Sequence, residues 1–290
     1  MNNKQPTILV TGSNGQLGSA LQLLSQAYPG YRFLFTTKEE LDILHPVETE
    51  EYFSERSIDY CINCAAYTAV DKAETEKENA FFLNGYAVAC IADICNKNGI
   101  QLIHISTDYV FDGEASQRYK ETDKTNPVSV YGKSKLHGEE LALRNAPSAI
   151  IIRTSWLYSS FKNNFVKTML RLMKEKESIH VVNDQYGSPT YAGNLAAAIM
   201  QIIASGKSQQ NPGIYHYANA GVTTWYEFAV AIKKITGSKC IVNPITTAAY
   251  PTAAKRPAYS VLDTTKIKEV FGVSVPGWEE SLKKCLEIIS

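Results

Sequence analysis

The chain has 290 residues, 44% of them apolar and 20% charged, which is enough to bury one large core or two closely packed ones and too apolar for a disordered or fibrous chain. Its 29 Lys and Arg balance its 29 Asp and Glu, so there is no net field to gather a polyanion and nucleic acid is not an expected partner. No stretch approaches the roughly 18 to 20 apolar residues that span a bilayer and the first residues lack a signal-peptide apolar region, so the expectation is a cytoplasmic protein with no membrane partner.

Residues 7–11 form a β-rich run that ends at glycine, and residues 18–27 carry helix formers at helical spacing. Between them lies Gly12-Ser13-Asn14-Gly15-Gln16-Leu17-Gly18, a G-x-x-G-x-x-G turn. Glycine suits such a turn because a Cβ would hold the backbone away from a pyrophosphate, which the free amides and dipole of a helix N-terminus attract. Its place directly after the first strand marks a dinucleotide as the expected ligand.

A second strand is expected over 31–36, followed by a helix over 47–56. An acidic residue at the end of that strand would bind the adenosine ribose and repel a 2′-phosphate. Here stand Thr36, Thr37 and Lys38, which favours NADP(H), while the nearby Glu39 and Glu40 leave NAD(H) open. Asp42, with Ile43 beside it, either touches the cofactor or caps the next element.

Further strands are expected over 60–65, 102–106 and 149–153, with helices over 79–98 and 131–144 between them. Strict alternation of this kind implies βαβ units and a parallel sheet covered on both sides. The expected fold is therefore α/β, a Rossmann-like doubly wound sheet. After Trp156 the pattern changes to a helix over 164–176, a short strand over 179–182 and a Gly/Pro/Tyr-rich stretch. A helix over 195–205 and a strand over 214–217 return to the sheet, and the proline-rich remainder forms a smaller C-terminal α/β substrate-binding cap. The division is thus 1–155, with returning segments near 190–219, for the dinucleotide, and 156–290 mainly for the substrate.

Six cysteines in such a chain are expected as reduced thiols; Cys61 and Cys64 share one strand but face opposite sides of it. The five histidines form no short ligand pair, so no metal is expected.

Tyr131-Gly132-Lys133-Ser134-Lys135 places Tyr131 and Lys135 on one helical face and turns Lys133 away. An ammonium beside a phenol is expected to lower its pKa and make it a proton donor usable near neutrality. The strand over 102–106 delivers Thr107-Asp108-Tyr109 at its carboxyl end, where ligands of open sheets bind. Thr107 is the favoured hydroxyl for a substrate carbonyl, with Ser106 its rival.

Taken with Asn63 through Glu74, Ser106 through Gly113, Arg153 through Tyr158, and Arg256 through Asp263, these motifs resemble the extended short-chain dehydrogenase/reductase family, in particular its dTDP-4-dehydrorhamnose reductases, over nearly the whole chain. The resemblance implies that Tyr131 is the proton donor, that Lys135 binds the nicotinamide ribose and that Thr107 completes the triad. It implies cofactor contacts from Gly12, Gly15, Gln16, Leu17 and Gly18 and, on the adenosine side, from Thr36, Lys38, Asp42, Ile43, Ala65, Ala66 and Tyr67. Ile105 and Asn84, the latter resembling a family asparagine near the active-site lysine, complete that set. Thr107, Asp108, Trp156 and Arg256 are implied to face a dTDP-sugar substrate; from the residues alone, Trp156 is equally a packing ring. Some relatives hold Mg²⁺ with glutamates at a dimer interface, but Ala20 and Asn194 stand at the corresponding positions, so neither metal nor that dimer is carried over. A monomer or weak homodimer is expected.

The implied reaction is NAD(P)H-dependent reduction of a C4 ketone in nucleotide-sugar biosynthesis for cell-surface polysaccharide. A dehydratase on this scaffold would need a second acid after Asp108, where Tyr109 stands, and a non-catalytic regulatory subunit would not need the Tyr131/Lys135 pair. Both remain as alternatives, along with a 4-epimerase.

Overall fold

The computed structural model describes residues 5–289. Five strands alternate with helices through the first half: β1 (Thr7–Thr11), α1 (Gln16–Ser25), β2 (Arg32–Thr36), α2 (Pro46–Ser54), β3 (Tyr60–Asn63), α3 (Val70–Ala73), α4 (Lys77–Phe81), α5 (Ala87–Lys97), β4 (Gln101–Thr107), α6 (Val130–Asn145) and β5 (Ile150–Thr154). With the returning strand Gly213–Tyr217 they form a six-stranded sheet in the order Gly213–Tyr217, β5, β4, β3, β1, β2, with every pairing parallel. The order reverses at β1, so the crevice past the carboxyl ends of β1 and β3 is the topological switch point where such sheets bind ligands.

Because side chains alternate along a strand, each strand feeds two cores. Ile8, Val10, Ile62, Ile103, Ile150 and Ile152 face a core shared with α1 and helix Ala192–Ala204. Leu9, Cys61, Leu102 and Ile151 face the opposite core under α5 and α6. Cys61 and Cys64 accordingly pack against different cores, and all six cysteines are free thiols. Ile267, Phe271 and Val273, late in the chain, also join the first core.

A third core lies outside the sheet. Helices Phe165–Glu175, Trp225–Thr236 and Trp278–Ile289 enclose Val166, Phe228, Ile232 and Leu282 beside the parallel strand pair Ser178–Val182 and Ile241–Ile245. Helix Trp225–Thr236 starts from a capping box in which the Thr224 hydroxyl and the Glu227 carboxylate satisfy each other's backbone amides.

One expected helix is corrected. The stretch over 79–98 is interrupted by a π-helical turn, Phe82–Tyr86, between α4 and α5. Helical periodicity in the sequence does not reveal such a turn, which depends on its neighbour: Gly138 of α6 lies so close that a Cβ there would overlap the Asn84 carbonyl.

Among the described residues no helix is long and apolar enough to cross a membrane, and no group of three His, Cys, Asp or Glu side chains is placed to hold a metal ion.

Candidate active site

The glycine turn leaves β1 with Gly12 at φ +63°, where a Cβ would stand 2.7 Å from the Ala65 amide nitrogen; only glycine lets the β1 and β3 ends approach so closely. Gly15 then caps α1 without any side-chain acceptor, which leaves the first-turn amides open to the groove. Gly12, Gly15, Lys38, Asp42, Ile43, Ala65 and Ala66, all expected to contact the cofactor, line one recess of about 230 Å³ beside the glycine turn. Gly15, Cys64 and Ala66 also border the main groove, of about 590 Å³, whose walls include Gln16, Leu17, Gly18, Ile105, Thr107, Asp108, Tyr131, Lys135 and Trp156.

Other expected residues lie elsewhere. Thr36 is buried in the sheet, its hydroxyl donating to the Val10 carbonyl at 3.4 Å, and lines neither recess. Tyr67 and Asn84 also stay off both walls. Asn84 accepts from the Tyr67 amide at 2.8 Å and donates to the Tyr67 carbonyl and to Ser134 Oγ, so it secures the β3 loop to α6. Gln16 spends its side chain as a clamp: it donates to the Leu157 carbonyl and accepts from Ser159 and Asn164. Asp42 does two things, accepting from the Leu44 amide in a turn and standing 3.7 Å from Lys38 Nζ.

The reactive end is built by α6 over the ends of β4 and β5. The Ser129 hydroxyl accepts from the Gly132 amide and the Glu74 carboxylate accepts from the Val130 amide, fixing the first turn of α6 and with it Tyr131. Tyr131, Lys135 and Glu139, at four-residue intervals, share one stripe, while Lys133 is exposed. The Thr107 hydroxyl donates to Asp108 Oδ1 at 3.0 Å, and Tyr109 meets Tyr131 edge-on with ring centroids 5.6 Å apart. Ser106 donates to Glu139 Oε1 at 2.5 Å and is thereby committed away from a substrate.

The expected lowering of the Tyr131 pKa by Lys135 is not what the geometry produces. Burial raises the phenol well above its ordinary value, the hydrogen bond with Thr107 opposes this, and Asp108 and Tyr109 add to the rise. Lys135 instead donates to the Ile105 carbonyl at 2.7 Å and faces His104 Nε2 at 3.3 Å. Its pKa falls to about 8 because burial outweighs the Glu139 carboxylate and Cys64. Tyr131 is therefore held as a phenol, the form needed by a proton donor.

Asp108, 2% exposed, is pushed up to about 6 by burial, which outweighs the hydrogen bond it accepts from Thr107. Its folded pKa exceeds the unfolded value of about 3.9, so protonated Asp108 contributes stability that is full below about pH 3.9 and is lost as the pH rises through about 6, where ionisation becomes a cost. Asp108→Asn, which keeps an acceptor for Thr107, is expected to stabilise the fold by roughly 2 kcal/mol at pH 7.5 and by about a third of that at pH 4.5. Paired thermal melts at the two pH values check this; a gain independent of pH would contradict it.

Trp156 adopts φ +47°, a strained conformation for a large side chain, and stacks on Trp225 with centroids 3.6 Å apart. The two rings wall the main groove where it meets a second cavity of about 690 Å³. Asp71, Tyr109, Phe165, His180, Trp225 and Arg256 are among its lining residues. Arg256 Nη2 pairs with Asp71 at 2.6 Å, and its Nη1 donates to the Tyr109 hydroxyl at 3.4 Å. Trp225, Phe165 and Lys162 escaped the sequence reading because they stand in no motif, and Asp71, though inside the Asn63–Glu74 stretch, was not singled out; packing brings all four to the two cavities.

Residues 6–290 match the family model described as RmlD substrate binding domain. A dTDP-4-dehydrorhamnose reductase from Aggregatibacter actinomycetemcomitans is 44% identical over 285 residues, covering 95% of this chain and 97% of that protein. The crystal structure of a dTDP-4-dehydrorhamnose reductase from Bacillus anthracis, in complex with NADP, superposes with a TM-score of 0.94 at 37% identity, covering 98% of this chain and all of the other. The corresponding enzyme from Clostridium acetobutylicum gives 0.93 at 39% identity over 98% and 99% of the two chains. With the glycine turn at the switch point and the Tyr131/Lys135 stripe over the strand ends, these likenesses show that the chain belongs to the dTDP-4-dehydrorhamnose reductase family.

Proposed function

We propose that this chain reduces the C4 ketone of dTDP-4-dehydro-6-deoxy-L-mannose to dTDP-L-rhamnose with NADP(H) as the favoured cofactor and NAD(H) as the alternative. The observation that carries this reading is a half-buried phenol, Tyr131, kept protonated and facing Thr107, at one end of a groove whose other end is a glycine turn with open helix amides.

The residues fit a dinucleotide. The uncapped α1 N-terminus offers amides to a pyrophosphate, and the recess beside Asp42 and Ile43 continues from it. When bound, the reduced nicotinamide supplies a hydride to the carbonyl carbon. Tyr131 gives its proton to the carbonyl oxygen, and Thr107 holds that oxygen while charge develops on it. Lys135 anchors the cofactor side. Asp108 and the Trp156/Trp225 pair bound the sugar, and the cavity beside Arg256 takes the nucleotide half. In this division residues 1–155, with the returning stretch near 190–219, hold the dinucleotide, and residues 156–290 mainly hold the sugar nucleotide.

Simple reduction is favoured over dehydration because Tyr109 follows Asp108 and its hydroxyl lies by Arg256, so no second acid stands there. The test is to supply NADPH with the dTDP-linked 4-ketosugar and follow the reduced-nicotinamide absorbance. Rapid oxidation with the dTDP sugar and little with a UDP-linked ketosugar is expected; no turnover of the dTDP sugar would overturn the reading.

Lys38 is 72% exposed and shared with Asp42, so its contribution to a 2′-phosphate is modest. Lys38→Ala is expected to reduce the NADPH-over-NADH ratio of kcat/KM by about fivefold, the scale of a solvent-exposed ionic contact. A tenfold preference of the unaltered chain for NADH would contradict the assignment.

A further inference from the structure

Thr11, Asn63 and His104 occupy one register row across β1, β3 and β4, on the sheet face covered by α6. All three are buried, and their polar atoms form a chain. The Ala65 amide, a donor that cannot reverse, donates to Asn63 Oδ1 at 3.2 Å, and Thr11 Oγ1 donates to the same oxygen at 2.7 Å. The orientation of the Asn63 amide is thereby fixed, so its Nδ2 donates to His104 Nδ1 at 3.1 Å. Burial first, and the Lys135 charge second, hold His104 well below its ordinary pKa, so the ring is neutral and carries one proton. With Nδ1 accepting, that proton sits on Nε2, 3.3 Å from Lys135 Nζ.

An ammonium there would set two donors against each other, whereas an amine accepts from Nε2–H while still donating to the Ile105 carbonyl. Resting on the reductase reading for its kinetic consequence, we propose that His104 is a positioning residue whose Nε2–H, fixed by the Ala65–Asn63 chain, favours the amine form of Lys135 and sets the pH at which the Tyr131/Lys135 site loses its working proton. Every charged or titratable group facing Lys135 takes part in that balance. Glu139, one turn along α6, favours the ammonium but is shared with Arg153 of β5; Cys64, just past β3, favours it weakly; Tyr131 is a neutral phenol.

The first test uses the unaltered protein and no turnover: nitrogen-15 NMR of labelled histidine. His104 is expected to show a protonated Nε2 and an unprotonated Nδ1 from pH 6 to pH 9. An Nδ1–H tautomer or an imidazolium would overturn the proposal. The second splits the two ring nitrogens. His104→Asn keeps an acceptor for Asn63 and removes the donor to Lys135, so the basic limb of the kcat/KM profile should move up by about one pH unit, a tenfold change in proton affinity. His104→Gln retains a donor towards Lys135 and should restore the limb to its original place. Both variants keeping the original limb, or both shifting alike, would refute the assignment. If the dTDP sugar is not turned over at all, the reductase reading fails and the NMR result still decides the tautomer.

Discussion

Tyr131→Phe is expected to lower kcat by about 100-fold or more, the scale of a positioned general acid, with cofactor affinity nearly unchanged. The phenol hydroxyl is the only group the substitution removes. The ring, and with it the edge-on contact with Tyr109, remains, as do the Ser129 cap and the Lys135 bond to the Ile105 carbonyl. Binding therefore persists while proton delivery fails. Steady-state kinetics alongside cofactor titration by fluorescence separate these effects; an unaffected kcat would remove Tyr131 from the chemistry. Because burial keeps the phenol protonated, the acidic half of the pH profile should carry no Tyr131 ionisation.

Glu139→Gln is expected to destabilise the fold by about 3 to 5 kcal/mol, because it leaves a buried guanidinium without its counter-charge. Glu139 and Arg153 are 1% and 2% exposed, and Arg153 donates from Nε and Nη2 in a forked arrangement at 2.7–3.1 Å. Ser106, which donates to the same carboxylate, is the register partner of Arg153 across β4 and β5. The melting temperature should fall by roughly 6–12 °C for a chain of this size. Glu139→Leu combined with Arg153→Met should recover most of the loss, since two apolar side chains need no pairing. A loss below about 1 kcal/mol in the single variant would show that the pair is not electrostatically isolated from water. The same substitution removes a charge that raises the Lys135 pKa, so any surviving activity should lose its basic limb at lower pH, opposite to the shift from His104→Asn.

The doubly wound sheet was legible because its signals are local: Ile8 and Val10 alternate with Leu9, strands alternate with helices, and glycines follow the first strand. Tyr131 and Lys135 were legible for the same reason, four residues apart on one helix. The π turn was not, since Phe82–Tyr86 keeps an ordinary helical pattern and its widening accompanies the close approach of Gly138. The row of Thr11, Asn63 and His104 depends on strand register, which a single strand does not encode. Trp225 reaches Trp156 only because the third core sets its helix against the sheet edge. The misjudged phenol pKa has a related cause: helical spacing puts Lys135 on the face of Tyr131, but the carbonyl of Ile105 captures its ammonium or amine head. Thr36 shows the converse, a strand-end residue whose position suggested the cofactor and whose hydroxyl serves the sheet.

The central claim is hydride delivery to a sugar ketone in the groove over Tyr131. Supplying reduced cofactor deuterated at nicotinamide C4 together with the dTDP-linked 4-ketosugar, and reading the product by NMR, tests it directly. Deuterium at C4 of a rhamnose-configured sugar is the predicted result; an unreduced ketone, or deuterium at any other carbon, would contradict it.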